Sequence, residues 1–240
     1  MRIQARSPGC QQYEDSTTVR TNLARPCYDV NMNANDVTDQ TKRRSDGEQT
    51  HAAILDRAVK LASVHGVNQI TLGRLAQATG VSKSGVYAHF KSKERLQMEI
   101  VEAAGEIYER EVIQPGLQAP EGLPRLINLY EAFLSYVERE VFPGGCFFAG
   151  LISEFDAQTG PVHEAVIAGH QEWEGLAVQL AQEAVDRGDL APDTDLKLLA
   201  FQLDAIKDHA NFLYTLYRDP EIIERGRQAA HQVIDRYRSA

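Results

Sequence analysis

Between Thr71 and Lys93 the chain carries short polar, aromatic and cationic side chains whose spacing suits hydrogen bonding to phosphates and base edges. In TLGRLAQATGVSKSGVYAHF, residues 71–90, Val86 and Phe90 stand four apart as inward anchors. That spacing leaves Lys83, Ser84, Tyr87 and Gly85 facing out at the start of a helix, with His89 among the polar positions that follow. Lys83 suits guanine or phosphate, Ser84 a base edge or phosphate, and Tyr87 a phosphate that sets register. Thr71 and Ser82 each precede an apolar-periodic segment, where a hydroxyl accepts backbone amides of the next turn. Capping is compatible with phosphate contact, so both join the candidate DNA contacts, as does Arg74. Ser92 is expected to cap a longer helix, and Lys93 adds charge to an end that already favours an anion.

Bond-making chemistry has no comparable constellation. The sequence has no phosphate loop, no Gly-x-Ser-x-Gly elbow, no His-Glu-x-x-His and no Cys-x-x-Cys. His163 and Glu164 are adjacent and cannot share a helix face. Cys10, Cys27 and Cys146 are scattered without metal-ligand spacing, and three free thiols are expected rather than a Cys10–Cys27 disulfide. No catalytic residue, metal site or cofactor is assigned.

The elements that position the polar run are helices. Ile54, Leu55, Ala58, Leu61, Ala62 and His65 recur on one helix face, with Gly66 where a C-terminal cap falls. Leu72, Leu75 and Ala76 face inward from the next helix, Gly80 takes the left-handed turn, and Val81 fills the space beneath it. Farther on, helices are expected over 123–141, 146–157 and 162–187, then along a stripe from Leu196 to Tyr217, and finally from Ile222 to Tyr237. The breaks between them fall at Pro143-Gly144-Gly145, Thr159-Gly160-Pro161 and Asp219-Pro220. The fold class is all-α, about nine helices, with no strand pattern. Three regions are expected: a disordered arm over 1–46, a helix-turn-helix domain over 47–96, and a larger helical domain over 97–240. Met32 offers an alternative start, so residues 1–31 need not belong to the natural chain.

Charge divides along the same lines. Residues 42–95 hold ten Lys and Arg against four Asp and Glu, a net +6, whereas 96–240 hold eleven against twenty-five, a net −14. A basic segment on an acidic body suits a protein that meets a phosphate backbone with one end only. The Lys42-Arg43-Arg44 triplet is either a cationic arm beside the reading head or a solvated linker end. No apolar run is long enough to span a bilayer and no secretory signal opens the chain, so a cytoplasmic protein is expected.

The string from about Ala53 to Leu96 resembles the N-terminal domain of the TetR family of bacterial transcriptional regulators. The resemblance is carried by HG before the turn, by T-x-x-x-L-A-x-x-T-G-V-S-K and by V-Y-x-H-F-x-S-K-E-x-L. Gly85 departs from the family pattern, which has a side chain there. Either it allows close backbone approach or it weakens the helix by about 1 kcal/mol. The resemblance implies that the rest of the chain binds a small-molecule effector and dimerises. Helices 196–217 and 221–238 are the expected homodimer interface, with Gly226, Ala229 and Ala230 offering small side chains for close packing. Phe133, Phe147, Phe148, Trp173 and Lys207 are pocket candidates, and Phe212 and His209 are also available. Lys207 faces either an anionic ligand or, by snorkelling, the solvent. The functional expectation is a repressor released from a palindromic operator by a small molecule. The alternative is a DNA-binding activator or architectural protein that takes no small ligand.

Overall fold

The structure is a computed structural model that describes residues 34–239, with side chains from residue 46 onward. Among the described residues there are nine α-helices, no strand, and one isolated bridge between Leu190 and Arg238. Residues 44–240 form one packed unit. Helix α1 spans Ala34–His65 and so begins inside the segment whose composition predicts a disordered arm. Residues 1–33 of that arm, with Cys10 and Cys27, lie outside the described residues. So do the side chains of Lys42, Arg43 and Arg44.

A 3-10 turn, Val67–Gln69, follows α1 and leads into α2 (Leu72–Thr79) and α3 (Lys83–Phe90). Ile54, Ala58, Val59, Ala62, Ile70, Leu75, Val86, Phe90 and Leu96 close the core of this head. His65, placed on the apolar face by its spacing, is exposed instead, since α1 ends there and the chain turns at Gly66. Helix α4 (Lys93–Tyr108) crosses the expected domain boundary at 96/97. It runs on through a π turn, Glu109–Ile113, and a last turn, Gln114–Gly116. Pro115 lacks the N–H that an α-helix would give to the Glu111 carbonyl, and the π turn lies directly before it.

The body is completed by α5 (Leu123–Glu138), α6 (Phe147–Phe155), α7 (Pro161–Asp186), α8 (Leu196–Tyr217) and α9 (Pro220–Asp235). Helix α5 stops short of the predicted Val141, with Glu140 held at φ 50°. Two of the three small residues expected to meet a second copy, Gly226 and Ala230, pack within the chain, whereas Ala229 is half-buried. A Cβ at Gly226 would stand 2.9 Å from the Ala210 Cβ of α8, and Ala230 is buried. Much of the apolar surface that remains open among the described residues lies on α8, where Leu198, Phe201, Phe212, Leu216 and Tyr217 are all exposed. Among the described residues no helix is long and apolar enough to cross a membrane.

Candidate nucleic-acid interface and interior aromatic site

Three hydroxyls organise the head. Thr71 Oγ1 accepts from the Arg74 amide, Ser82 Oγ from the Gly85 amide and Ser92 Oγ from the Arg95 amide, each at 3.1 Å. Each satisfies one donor at a helix start that would otherwise need water. Gly80 sits at φ 72°, ψ 4°, the left-handed conformation that turns α2 into α3. Val86 and Phe90 are fully buried, so the opposite side of α3 is turned to solvent. There Tyr87 stands 58% exposed, an unusual setting for a large aromatic ring without a partner.

Lys83 and Ser84 are exposed beside Tyr87, as are Thr71, Arg74, Ser82 and Lys93. Arg74, Lys83, Lys91 and Lys93 make no ion pair among the described residues. Four cations on one small domain without carboxylate partners leave a net positive surface. Lys91, which sequence patterning did not select, turns α3 into α4 at φ 61°, ψ −40°. A lysine gives no local signal for that backbone conformation, which tertiary packing imposes.

Gly85 and His89 differ from the other expected contacts. A Cβ at Gly85 would stand 2.9 Å from Val81 Cγ1 and 3.2 Å from Ser82 Oγ, so the space belongs to the turn's own plug. His89 is half-buried, its ring meeting that of His51 edge-on at 5.6 Å. His51 in turn stacks on Phe90 at 4.7 Å and places Nε2 2.8 Å from Glu99 of α4. A cleft of about 500 Å³ between α1 and α4 has His51, Arg95, Glu99, Glu102 and Glu106 as its polar lining, and Arg95 is paired with Glu99. Its acidic lining does not suit a phosphate backbone.

Inside the body the five expected pocket residues converge. Phe133 and Trp173 have ring centroids 6.3 Å apart, and Phe147 and Phe148 meet at 5.5 Å. Tyr108 joins the two pairs, edge-on to Phe148 at 5.4 Å and to Trp173 at 5.8 Å. It continues the inward face of α4 four residues after the buried Ala104, a period the sequence reading did not follow past Leu96. Burial holds the Tyr108 hydroxyl well above the usual phenol range, yet part of the side chain remains open, as does part of Phe148. Tyr108 and Phe148 are thus half-open rings at the rim of a buried aromatic cluster.

Lys207 lies at the edge of these rings, its ammonium 4.8 Å from the Phe133 centroid and 5.1 Å from that of Trp173. It is 8% exposed, with Nζ 2.8 Å from Asp208 and 3.7 Å from Asp204, so it does not snorkel. Asp204 also accepts from Trp173 Nε1 at 2.7 Å and from the Tyr130 hydroxyl at 3.2 Å. The cation is therefore already compensated, and a free anion would have to compete with two carboxylates. His209 and Phe212 are exposed and take no part in the aromatic cluster. Cys146 is buried at the start of α6, where burial pushes its thiol up, opposed by the charge of Lys207.

A capped α2–turn–α3 pair with cationic and aromatic side chains on its outer face defines a helix-turn-helix DNA-binding regulator of transcription. Residues 54–105 match the family model of bacterial regulatory proteins of the tetR family. Residues 122–230 match that of the tetracyclin repressor-like C-terminal domain. The chain belongs to the TetR family of transcriptional regulators. The transcriptional regulator AcrR of Shigella flexneri is 41% identical over 61 residues, 25% of this chain and 28% of that protein. The transcriptional repressor ComR of Escherichia coli is 24% identical over 155 residues, 64% of this chain and 74% of that one. The crystal structure of a TetR transcriptional regulator from Chloroflexus aurantiacus matches with a TM-score of 0.75 at 26% identity, covering 82% of this chain and 100% of that one.

Proposed function

We propose that this protein is a homodimeric repressor that grips a two-fold-symmetric operator and releases it when a small molecule binds at the aromatic cluster around Tyr108. The observation that carries the DNA half is the exposed Tyr87 beside unpaired Lys83 on the outer face of α3. In this reading Lys83 and Ser84 reach base edges, whereas Thr71, Arg74, Ser82, Tyr87 and Lys93 hold phosphates. Gly85 and His89 act from behind, one by leaving room for Val81 and the other by bracing α3 against His51. The exposed apolar side of α8, with α9 beside it, supports a four-helix interface between two copies, since apolar area of this kind is stabilised by cover. The partly open Tyr108 and Phe148 rings support an apolar or aromatic effector. The name of the relative ComR supports repression.

Two heads on one two-fold axis require half-sites about one helical turn of DNA apart. Selection of genomic fragments by the purified full chain, followed by footprinting, tests the reading. An inverted repeat protected as two half-sites is expected. A chain that selects no specific sequence overturns it, and one that selects DNA but activates transcription from it overturns the repressor half.

A further inference from the structure

We infer that Lys91 is a further phosphate-holding residue of the reading head, and that the fold keeps a strained backbone at the end of α3 so that a cation, rather than a glycine, stands there. The inference rests on the DNA-binding reading above, which assigns Tyr87 and Lys93 on either side of it to phosphates. Lys91 is the centre of a three-residue turn. Its own amide closes the last turn of α3 on the Tyr87 carbonyl at 2.8 Å, and the Ser92 amide donates back to the Phe90 carbonyl at 2.6 Å. A bond across three residues with the middle one at φ 61°, ψ −40° is a γ-turn of positive φ, the rare and strained form. Arg218 is also at positive φ, but its φ 55°, ψ 33° lies in the left-handed helical region, which residues with a side chain do visit. The negative ψ of Lys91 takes it outside that region.

The turn is fixed by what lies on either side of it. Phe90 is fully buried with His51 stacked on it, and Ser92 Oγ accepts the Arg95 amide as the cap of α4. A single residue carries the chain from the buried end of α3 to that cap, so the conformation belongs to the position rather than to the side chain. Glycine takes positive φ without steric cost, as Gly66 and Gly80 do at the other two turns of the head. The lysine side chain adds nothing to the fold: it is exposed and makes no ion pair or hydrogen bond among the described residues. What it has is position. Lys91 follows Tyr87 by four residues and precedes Lys93 by two, at the junction of α3 with α4. Strained backbone of this kind persists where the surrounding structure over-determines it, and it gathers at functional sites. A cation that the fold leaves unmatched is free to replace a counterion on a phosphate.

Three variants of the full chain separate the cation from the backbone. Lys91→Gly removes the charge and the strain together, Lys91→Gln removes the charge and keeps a side chain, and Lys91→Arg keeps both. The probe is a random-sequence DNA duplex, since phosphate contacts carry no sequence information. Fluorescence anisotropy over a series of salt concentrations reads affinity, and far-UV circular dichroism reads the thermal midpoint. Lys91→Gly should raise the midpoint by about 2–6 °C. The same variant should bind about threefold to tenfold more weakly, with the slope of log affinity against log salt reduced by about 0.9. Lys91→Gln should lose as much affinity and slope without the gain in midpoint, and Lys91→Arg should recover the slope. Undiminished affinity and slope in Lys91→Gln overturn the phosphate role, even if Lys91→Gly binds weakly. A midpoint that does not rise in Lys91→Gly overturns the strain, and a wild-type chain that does not bind the duplex at low salt overturns the whole inference. A chain that shows the expected pattern on the random duplex yet selects no specific sequence supports the inference and overturns the repressor reading alone.

Discussion

Tyr87 and the lysines around it carry charge and hydrogen-bonding capacity that the fold does not use, and their contribution is measurable one side chain at a time. Tyr87→Phe and Lys93→Ala should weaken binding to every DNA sequence alike. Loss of the Lys93 charge should also reduce the slope of log affinity against log salt by about 0.9. Lys83→Ala should in addition narrow discrimination between the selected site and its single-base variants, by about 1–3 kcal/mol at one position per half-site. Competition binding at several salt concentrations separates the two behaviours. If Lys93→Ala leaves the slope unchanged, its phosphate role is wrong. Cys146 offers a different check. Burial raises its thiol above the ordinary range, so at neutral pH it stays protonated and should alkylate far more slowly than an unfolded cysteine, as peptide mass spectrometry on native and denatured protein would read. Most of the outward residues of α3 were legible from the period of Val86 and Phe90 alone. The closeness of Gly85 to Val81 was not, because a Cβ there would have to displace the Val81 side chain of the preceding turn, a contact that helical periodicity does not encode.

Among the elements, the ends of α2, α3 and α4 are set by local chemistry, and so the sequence displays them. Thr71, Ser82 and Ser92 each cap as their positions predict. Ser82→Ala should cost about 1 kcal/mol and lower the thermal midpoint, whereas Ser82→Gly should cost only a few tenths. Other element boundaries depend on neighbours. Helix α5 is capped from a distance, the Leu123 amide donating to Asp189 at 3.0 Å, and the π turn after Tyr108 has no signature beyond the proline that follows it. Pairing of α8 with α9 depends on Gly226. Gly226→Val puts two methyls where Ala210 already stands, and it should destabilise the body by about 1–3 kcal/mol in a denaturant titration.

For the molecule as a whole, the division of charge puts a basic head on an acidic body, and the open side of α8 asks for cover. Phe201 is 72% exposed and Leu216 68%, on a surface where apolar side chains would otherwise be scattered singly. Phe201→Glu with Leu216→Glu should shift the chain from dimer to monomer in sedimentation equilibrium without lowering its helix content. Affinity for the inverted repeat should then fall to that of a single half-site. A variant that stays dimeric and binds undiminished would move the interface elsewhere.

The sequence by itself determined the helical class, the reading head and its caps, and the sign of charge at each end. Each of these follows from neighbours within about one turn or from simple summation along the chain. It also singled out five aromatic and cationic residues that meet in one interior cluster, though not their arrangement. Only the tertiary structure decided that Tyr108 links them, that Lys207 is matched by Asp204 and Asp208, and that Gly226 and Ala230 pack within the chain. Only the tertiary structure, too, brought Glu154 to Val67, eighty-seven residues away. Contacts at that separation depend on where whole helices cross, and helix crossings are settled by the packing of many side chains at once rather than by any local pattern.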